Sequence, residues 1–135
     1  MNKRRIVDTN LIVRYLVQDN ERQAAAAEKL FAACDRGDVA TVVLPVVLAE
    51  CVFVLESFYQ HARGEIASVL ARLISSPGIE INGEAIHLDA LERYRKTKVH
   101  FVDCVIAATA ASEDIPVASF DQDFGKFGDV GVEIE

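Results

Sequence analysis

Five carboxylates stand where charge is disfavoured, and they define the chemistry open to this chain. Asp8 follows the apolar pair Ile6 and Val7, and Glu50 lies inside LPVVLAECVFVLESF (44–58), an almost wholly apolar run. Asp103 opens the apolar stretch VDCVIAATAA, and Asp121 and Asp123 follow PVAS. Carboxylates gathered in one pocket raise one another's pKa and cannot all stay ionised without a compensating cation. An oxygen-only donor set, with no His or Cys in it, suits Mg²⁺ or Mn²⁺ rather than zinc. Such an ion can make a nucleophile of its bound water, and a second can stabilise the leaving oxygen of a phosphodiester, so an acidic pocket and an anionic substrate are compatible.

Each position also has a plain structural reading. Asp8 can form an Asx-turn or cap the next helix, which is the commoner use of a single Asp there. Asp103 is well placed as an N-cap, and Asp121 and Asp123 as turn residues. Glu50 has the weakest alternative, a buried Arg or Lys partner, because burying an ion pair is seldom favourable overall. A helix without a polar face is expected to be buried. The sequence therefore predicts a Glu50 shielded from bulk water, with a cation as its partner. The coincidence of the acids, more than any one of them, points to a site.

The elements that must carry these residues alternate between strand and helix. Residues 4–7 read as a short strand, and a helix capped by Thr9 or Asn10 follows through about Gln18. A second helix is predicted from Glu21 to Asp35, stopping at Gly37. VATVVL (39–44) is a β-branched strand, and Pro45 suits the first turn of the helix that carries Glu50. Further helices are predicted over 62–74, 84–96 and 102–112, with strands over 79–82, 115–119 and in the C-terminal tail. This alternation implies βαβ units, hence a parallel sheet covered by helices. Ligands of such sheets bind beyond the carboxyl ends of strands, where Asp8 and Asp121 fall.

Composition narrows the class. With 135 residues, 51% hydrophobic and 26% charged, one compact domain is expected, neither disordered nor membrane-embedded. No apolar run nears the ~20 residues that span a bilayer, and the N-terminal stretch does not read as a signal peptide. Three cysteines without a CxxC pair predict free, buried thiols in a reducing cytoplasm. A net charge of −7 argues against indiscriminate nucleic-acid binding through Lys and Arg. It leaves room for a cation between an acidic pocket and a phosphate.

The segments VDTNLIVRYL, PVVLAECVFVL, FVDCVIAATA and SFDQDF, in this order and spacing, resemble the motifs of PIN-domain ribonucleases. The resemblance is greatest to the VapC-type toxins of bacterial toxin–antitoxin pairs, and it covers essentially the whole sequence. It implies a PIN-like domain over residues 1–135. The implied fold is a three-layer α/β/α sandwich around a central, mostly parallel sheet of four to five strands. It implies that Asp8, Glu50, Asp103 and Asp121 form a catalytic, metal-holding quartet, with Asp123 at a further acidic position. Thr9 and Asn10 complete the first motif, where a hydroxyl or amide orients Asp8 or a water, with helix capping an equal reading. Ser119 stands where the family has Thr or Ser and would bond Asp8 or the loop between them, with a plain strand-end serine a near-equal reading. His100 occupies a position where many relatives carry another acid, which removes one acidic contact from the expected set.

The resemblance further implies a cytoplasmic endoribonuclease that uses Mg²⁺, with Mn²⁺ as a substitute. It would be neutralised by a cognate antitoxin, act on RNA as a homodimer, and have no membrane association. The alternative reading is a non-catalytic PIN-like module that binds RNA or protein. Basic residues in KRR (3–5) and ERYRKTK (92–98) are candidates to meet phosphates, or are solvated helix ends. Leu11, Ile12, Tyr15 and Leu16 exceed a single buried stripe and are available to a partner or to the core. Arg14 points to the site, to a partner carboxylate or to solvent. A haloacid-type phosphatase is disfavoured, since Asp8 lacks a second Asp two residues on. An EF-hand is disfavoured, since Lys126 and Val132 stand where Gly and Glu are needed.

Overall fold

A computed structural model describes residues 3–133. The expected C-terminal strand therefore lies partly outside the described residues, at 134 and 135. The chain forms two compact units, the first ending at Glu84 and the second beginning at Ala85.

The first unit starts with strand β1 (Lys3–Ile6) and helices α1 (Thr9–Val17) and α2 (Glu21–Asp35). Strand β2 (Val39–Val42), helices α3 (Pro45–Ser57) and α4 (Arg63–Ile74) and strand β3 (Ile79–Glu80) complete it. The strands form one parallel sheet in the order β1-β2-β3, with Lys3 opposite Val39 and Thr41 opposite Ile79. Each strand reaches its neighbour through a pair of helices, as parallel pairing requires.

Local chemistry sets the helix ends. Asp8 caps α1 by accepting from Leu11 N–H at 3.0 Å, and Asn20 caps α2 by accepting from Gln23 N–H at 3.0 Å. Pro45 occupies the first turn of α3, where its missing N–H costs nothing. Gly78 turns the chain into β3 with φ +77°, and a Cβ there would meet the Cys34 carbonyl oxygen at 2.7 Å, so only glycine fits.

The core of this unit follows helical spacing. Helix α4 buries Ile66, Ala67, Leu70, Leu73 and Ile74, and α3 buries Leu48, Cys51, Val52 and Leu55. Each fully buried Leu or Ile contributes about 1.5–3 kcal/mol relative to exposure. Thr41 on β2 is fully buried and satisfies its hydroxyl against the Cys34 thiol at 3.1 Å. The expectation that α3 is buried all round is corrected here. Val46 is 71% and Phe53 68% exposed, so α3 covers one stripe and shows the other face to solvent.

The second unit comprises α5 (Glu84–Lys96), α6 (Phe101–Glu113), strand β4 (Val117–Ala118), a 3-10 helix (Gln122–Lys126) and strand β5 (Val132–Glu133). Strands β4 and β5 pair in parallel, Val117 opposite Val132. Tyr94 of α5 meets Phe101 of α6 edge to face, with ring centroids 6.0 Å apart. Arg93 forks onto both Asp129 oxygens (2.8 and 2.5 Å), reaches Asp89 at 3.2 Å, and lies 5.2 Å from the Phe127 ring centre. These contacts tie the tail of the chain to α5.

The fold is therefore α/β with parallel strand pairing, as expected. Among the described residues, the strands are hydrogen-bonded as a set of three in the first unit and a set of two in the second. Runs of β-branched residues mark where strands form, but the choice of ladder partner is a long-range matter that such runs do not encode. All three cysteines are free and buried, as their number and setting predict. Among the described residues, no helix is long and apolar enough to cross a membrane.

Candidate functional site

In the first unit, β1 runs into buried Val7 and delivers Asp8 to the start of α1. Asp8 is exposed. Its Oδ1 is committed to the cap, and Oδ2 makes no hydrogen bond among the described residues. The plain reading of Asp8 as a cap is thus realised, and it leaves one oxygen open. Thr9 donates its hydroxyl to Glu50 Oε1 in a short hydrogen bond, which joins the first turn of α1 to α3. The expected partners of Thr9 were Asp8 or a water; it orients Glu50 instead.

Glu50 is exposed, which corrects the expectation that it is shielded from bulk water. It lies on the solvent face of α3 with Val46 and Phe53, four residues before and three after, opposite the stripe from Leu48 to Leu55. The next residue, Cys51, is fully buried. Burial first, then the negative charges of Glu50 and Asp8, push its thiol up to about 12. Both carboxylates therefore act on one buried sulfur, which remains a neutral thiol at physiological pH.

In the second unit, Asp103 is the third residue of α6 and is half-buried. His100, not Asp103, takes the N-cap position, without a side-chain bond. The cap reading of Asp103 is thereby overturned: it belongs to the first turn, where the helix dipole favours a negative charge. Burial raises its pKa most, Asp121 and Asp123 raise it further, and His100 opposes them. Asp121 caps the 3-10 helix by accepting from Asp123 N–H at 2.8 Å. Its own N–H donates to Ser119 Oγ at 2.9 Å. Asp123 pairs with Lys126 at 3.1 Å.

The structure thus brings Asp8, Thr9 and Glu50 into one neighbourhood and Asp103, Asp121 and Asp123 into another. Among the described residues, no group of three or more His, Cys, Asp or Glu side chains is gathered so that it could hold a metal ion. Asp8 and Asp121 each turn an oxygen to a backbone N–H, and Glu50 turns one to Thr9, so these atoms already have donors. The donor chemistry still fits a hard divalent cation. Every group is a carboxylate, and the raised pKa of Asp103, from burial first and then from Asp121 and Asp123, is the kind of cost that such a charge relieves.

Sequence reasoning missed a second group. Asn10 lines a cavity of about 240 Å³ together with Asp8, Leu11, Arg14 and Gln23. Arg14 bonds Asp19, Tyr59 and Gln23 there. Nothing in the sequence marks Asp19, Tyr59 or Gln23 as the partners of Arg14. The basic clusters are also less available than expected. Arg4 pairs with Glu80, Arg93 is consumed by Asp129 and Asp89, and Arg95 and Lys96 both approach Glu92.

The PIN domain family model matches residues 5–130. Among solved structures, one similar chain is the Mycobacterium tuberculosis VapC20 toxin, described as cleaving the sarcin-ricin loop. It is 21% identical, with 92% of this chain and 95% of that chain covered at a TM-score of 0.44. No curated protein matches the sequence. With the family match running from Arg5 to Val130, across both units, the chain belongs to the PIN-domain family.

Proposed function

We propose that this protein is a divalent-cation-dependent endoribonuclease, working as one PIN-like domain and as the toxin of a toxin–antitoxin pair. The observation that carries the reading is the family match over nearly all of the sequence, with an acid at each of the four motif positions. Asp8, Glu50, Asp103 and Asp121 would hold the cation, Mg²⁺ or Mn²⁺ in its place, with Asp123 a further ligand. When bound, such an ion supplies polarisation of water and neutralisation of the phosphate's charge.

The chain's own residues do the positioning. Thr9 fixes one Glu50 oxygen and leaves the other without a bond among the described residues, so the carboxylate presents a defined lone pair. Ser119 holds the Asp121 N–H and so sets the turn from which that carboxylate projects. His100 lowers the pKa of Asp103 against the push of burial and of the neighbouring acids, helping to keep it ionised. RNA cleavage in the cytoplasm, neutralisation by a cognate antitoxin protein and assembly as a homodimer belong to the same proposal.

The test gives purified protein candidate RNAs with Mg²⁺, with EDTA, and as the Asp8→Asn variant. Cleavage by the wild type in Mg²⁺ alone is expected, and equal cleavage in all three would sink the reading. The second reading, a non-catalytic RNA- or protein-binding module, draws on the capping roles of Asp8 and Asp121. Its signature is RNA binding without cleavage in any divalent ion.

A further inference from the structure

The cavity beside Asp8 carries one guanidinium, that of Arg14, opposite in charge to Asp8 itself. It is lined by Asp8, Asn10, Leu11, Arg14, Gln23 and two alanines of α2, and encloses about 240 Å³. Asn10 and Arg14 stand one turn apart on α1, so both look onto the same side of that helix. Arg14 is held firmly. Its Nη1 donates to Asp19 Oδ1 at 2.8 Å and to Tyr59 Oη at 3.1 Å, and its Nε donates to Gln23 Oε1 at 2.9 Å. Tyr59 in turn donates to Asp19 Oδ2 at 2.8 Å, so Asp19 anchors both groups and its carboxyl is held below its ordinary range.

The contrast with Arg93 is informative. Arg93 spends both Nη groups on Asp129 in a closed fork. Arg14 meets Asp19 through Nη1 alone, and its Nη2 makes no hydrogen bond among the described residues. A guanidinium fixed by three bonds at the lining of a cavity, with its Nη2 making no hydrogen bond among the described residues, is pre-organised for an anion. Little rotamer freedom remains to be lost when that anion binds. The same cavity carries Asp8, which the ribonuclease reading places at the scissile phosphate.

We propose that Arg14 is a phosphate-binding residue of the RNA site, taking the phosphate of a nucleotide next to the one at Asp8. This rests on the ribonuclease reading in taking RNA as the source of the anion. Leu11 and the alanines offer the sugar or base an apolar wall, while Asp19, Tyr59 and Gln23 hold the guanidinium.

The experiment measures binding of fluorescein-labelled single-stranded and hairpin RNA oligonucleotides in EDTA across a salt series, so that no cleavage intervenes. For Arg14→Gln, affinity should fall about tenfold, and the slope of log K against log salt should flatten by about 0.7, one phosphate contact on a single strand. Arg22→Gln, an equal charge loss on the exposed side of α2, should leave the slope unchanged. Arg14→Lys keeps a charge toward Asp19 but not the fork. It should keep the slope while weakening affinity, and it carries the test if Arg14→Gln fails to fold. In Mg²⁺, Arg14→Gln should raise KM with kcat little changed.

A folded Arg14→Gln with wild-type slope and KM overturns the proposal, as does absence of RNA binding by the wild type. Unchanged RNA binding with lost binding to a polyglutamate peptide would assign Arg14 to a protein partner and also overturn it. An Arg14-dependent slope without cleavage in any divalent ion would sink the ribonuclease reading and leave the phosphate site standing. Cleavage with an Arg14-independent slope and KM would do the reverse.

Discussion

The two sets of acids are built differently. In the first unit, Asp8 and Glu50 are exposed, and each is steadied by a donor, a backbone N–H for one and the Thr9 hydroxyl for the other. In the second, Asp103 is half-buried and crowded by Asp121 and Asp123, so its charged form is disfavoured. Hydrogen bonds to a carboxylate favour the charge, whereas burial and like charges oppose it. Asp103 is thus under a tension, from burial first and from its acidic neighbours after that, which a cation would relieve. Removing charge from Asp103 should therefore raise metal-free stability, whereas removing it from exposed Glu50 should leave stability near wild type, even where both removals abolish the same activity.

Asp103→Asn tests the tense side and should give the largest effect. Loss of a residue that merely supports a metal ligand typically costs 10–100-fold, so loss of a ligand should lower cleavage by about a hundredfold or more. The same variant should melt higher than the wild type at pH 7 without metal. The folded-state pKa of Asp103 is raised, so its ionised form costs stability above that pKa, and the cost vanishes as pH falls below the unfolded value near 4. The Tm gain should accordingly shrink toward pH 4. Melting curves at the two pH values check this, and a lower Tm at pH 7 would break the comparison.

Metal-induced stabilisation comes next. At Mg²⁺ about a hundredfold above its Kd, wild-type stability should rise by roughly 2.7 kcal/mol, a Tm shift on the order of 10 °C. If both sets serve one ion, Asp103→Asn and Glu50→Gln should each erase most of that shift. Glu50→Gln should do so with metal-free stability within about 0.5 kcal/mol of wild type, because an exposed glutamate is replaced by an isosteric amide. A full shift in Glu50→Gln would confine the metal role to the second set.

The supporting hydroxyls sharpen the contrast on a smaller scale. Thr9 donates to a carboxylate, whereas Ser119 accepts from a backbone N–H. Thr9→Val should lower cleavage roughly tenfold, by freeing Glu50 to rotate, with about 1 kcal/mol or less lost in stability. Ser119→Ala should fall short of that in activity. Steady-state cleavage of the two variants side by side decides it, and equal losses would show that both hydroxyls act only through the backbone.

The helices were legible where caps and periodicity agree. The helix over Glu21–Asp35 with its stop at Gly37 gives α2, and the amphipathic spacing of residues 84–96 gives α5, both as the structure has them. Which face of α3 is covered was not legible. Its apolar residues surround the helix, so periodicity carries no direction, and Glu50 was assigned to the interior on that ground. Asp103 was read as a cap because a helix start is uncertain by a few residues, and His100 stands at the true start. The five acids stand out in the sequence because carboxylates beside apolar strands or within apolar helices are conspicuous. The brace on Arg14 escaped because Tyr59 lies 45 residues away, a proximity that only the packed chain creates.

The smallest effect falls on Cys51, which reports the charges of the first set from inside the core. Its thiol stands near 12 instead of 9.0, through burial first and through Glu50 and Asp8 after that. The unfolded thiol ionises first as pH rises from about 9, so stability should decline between pH 9 and 12, and only there. In a Cys34→Ser, Cys104→Ser background, iodoacetamide should alkylate native Cys51 at pH 9 far more slowly than the unfolded chain. Glu50→Gln should speed the native reaction modestly, and Asp8→Asn less, because Glu50 is the larger of the two charge contributions and burial still dominates. Rapid native alkylation in the starting protein would mean that the thiol is open to solvent. It would also mean that the first set lacks the buried neighbour against which its charges are felt.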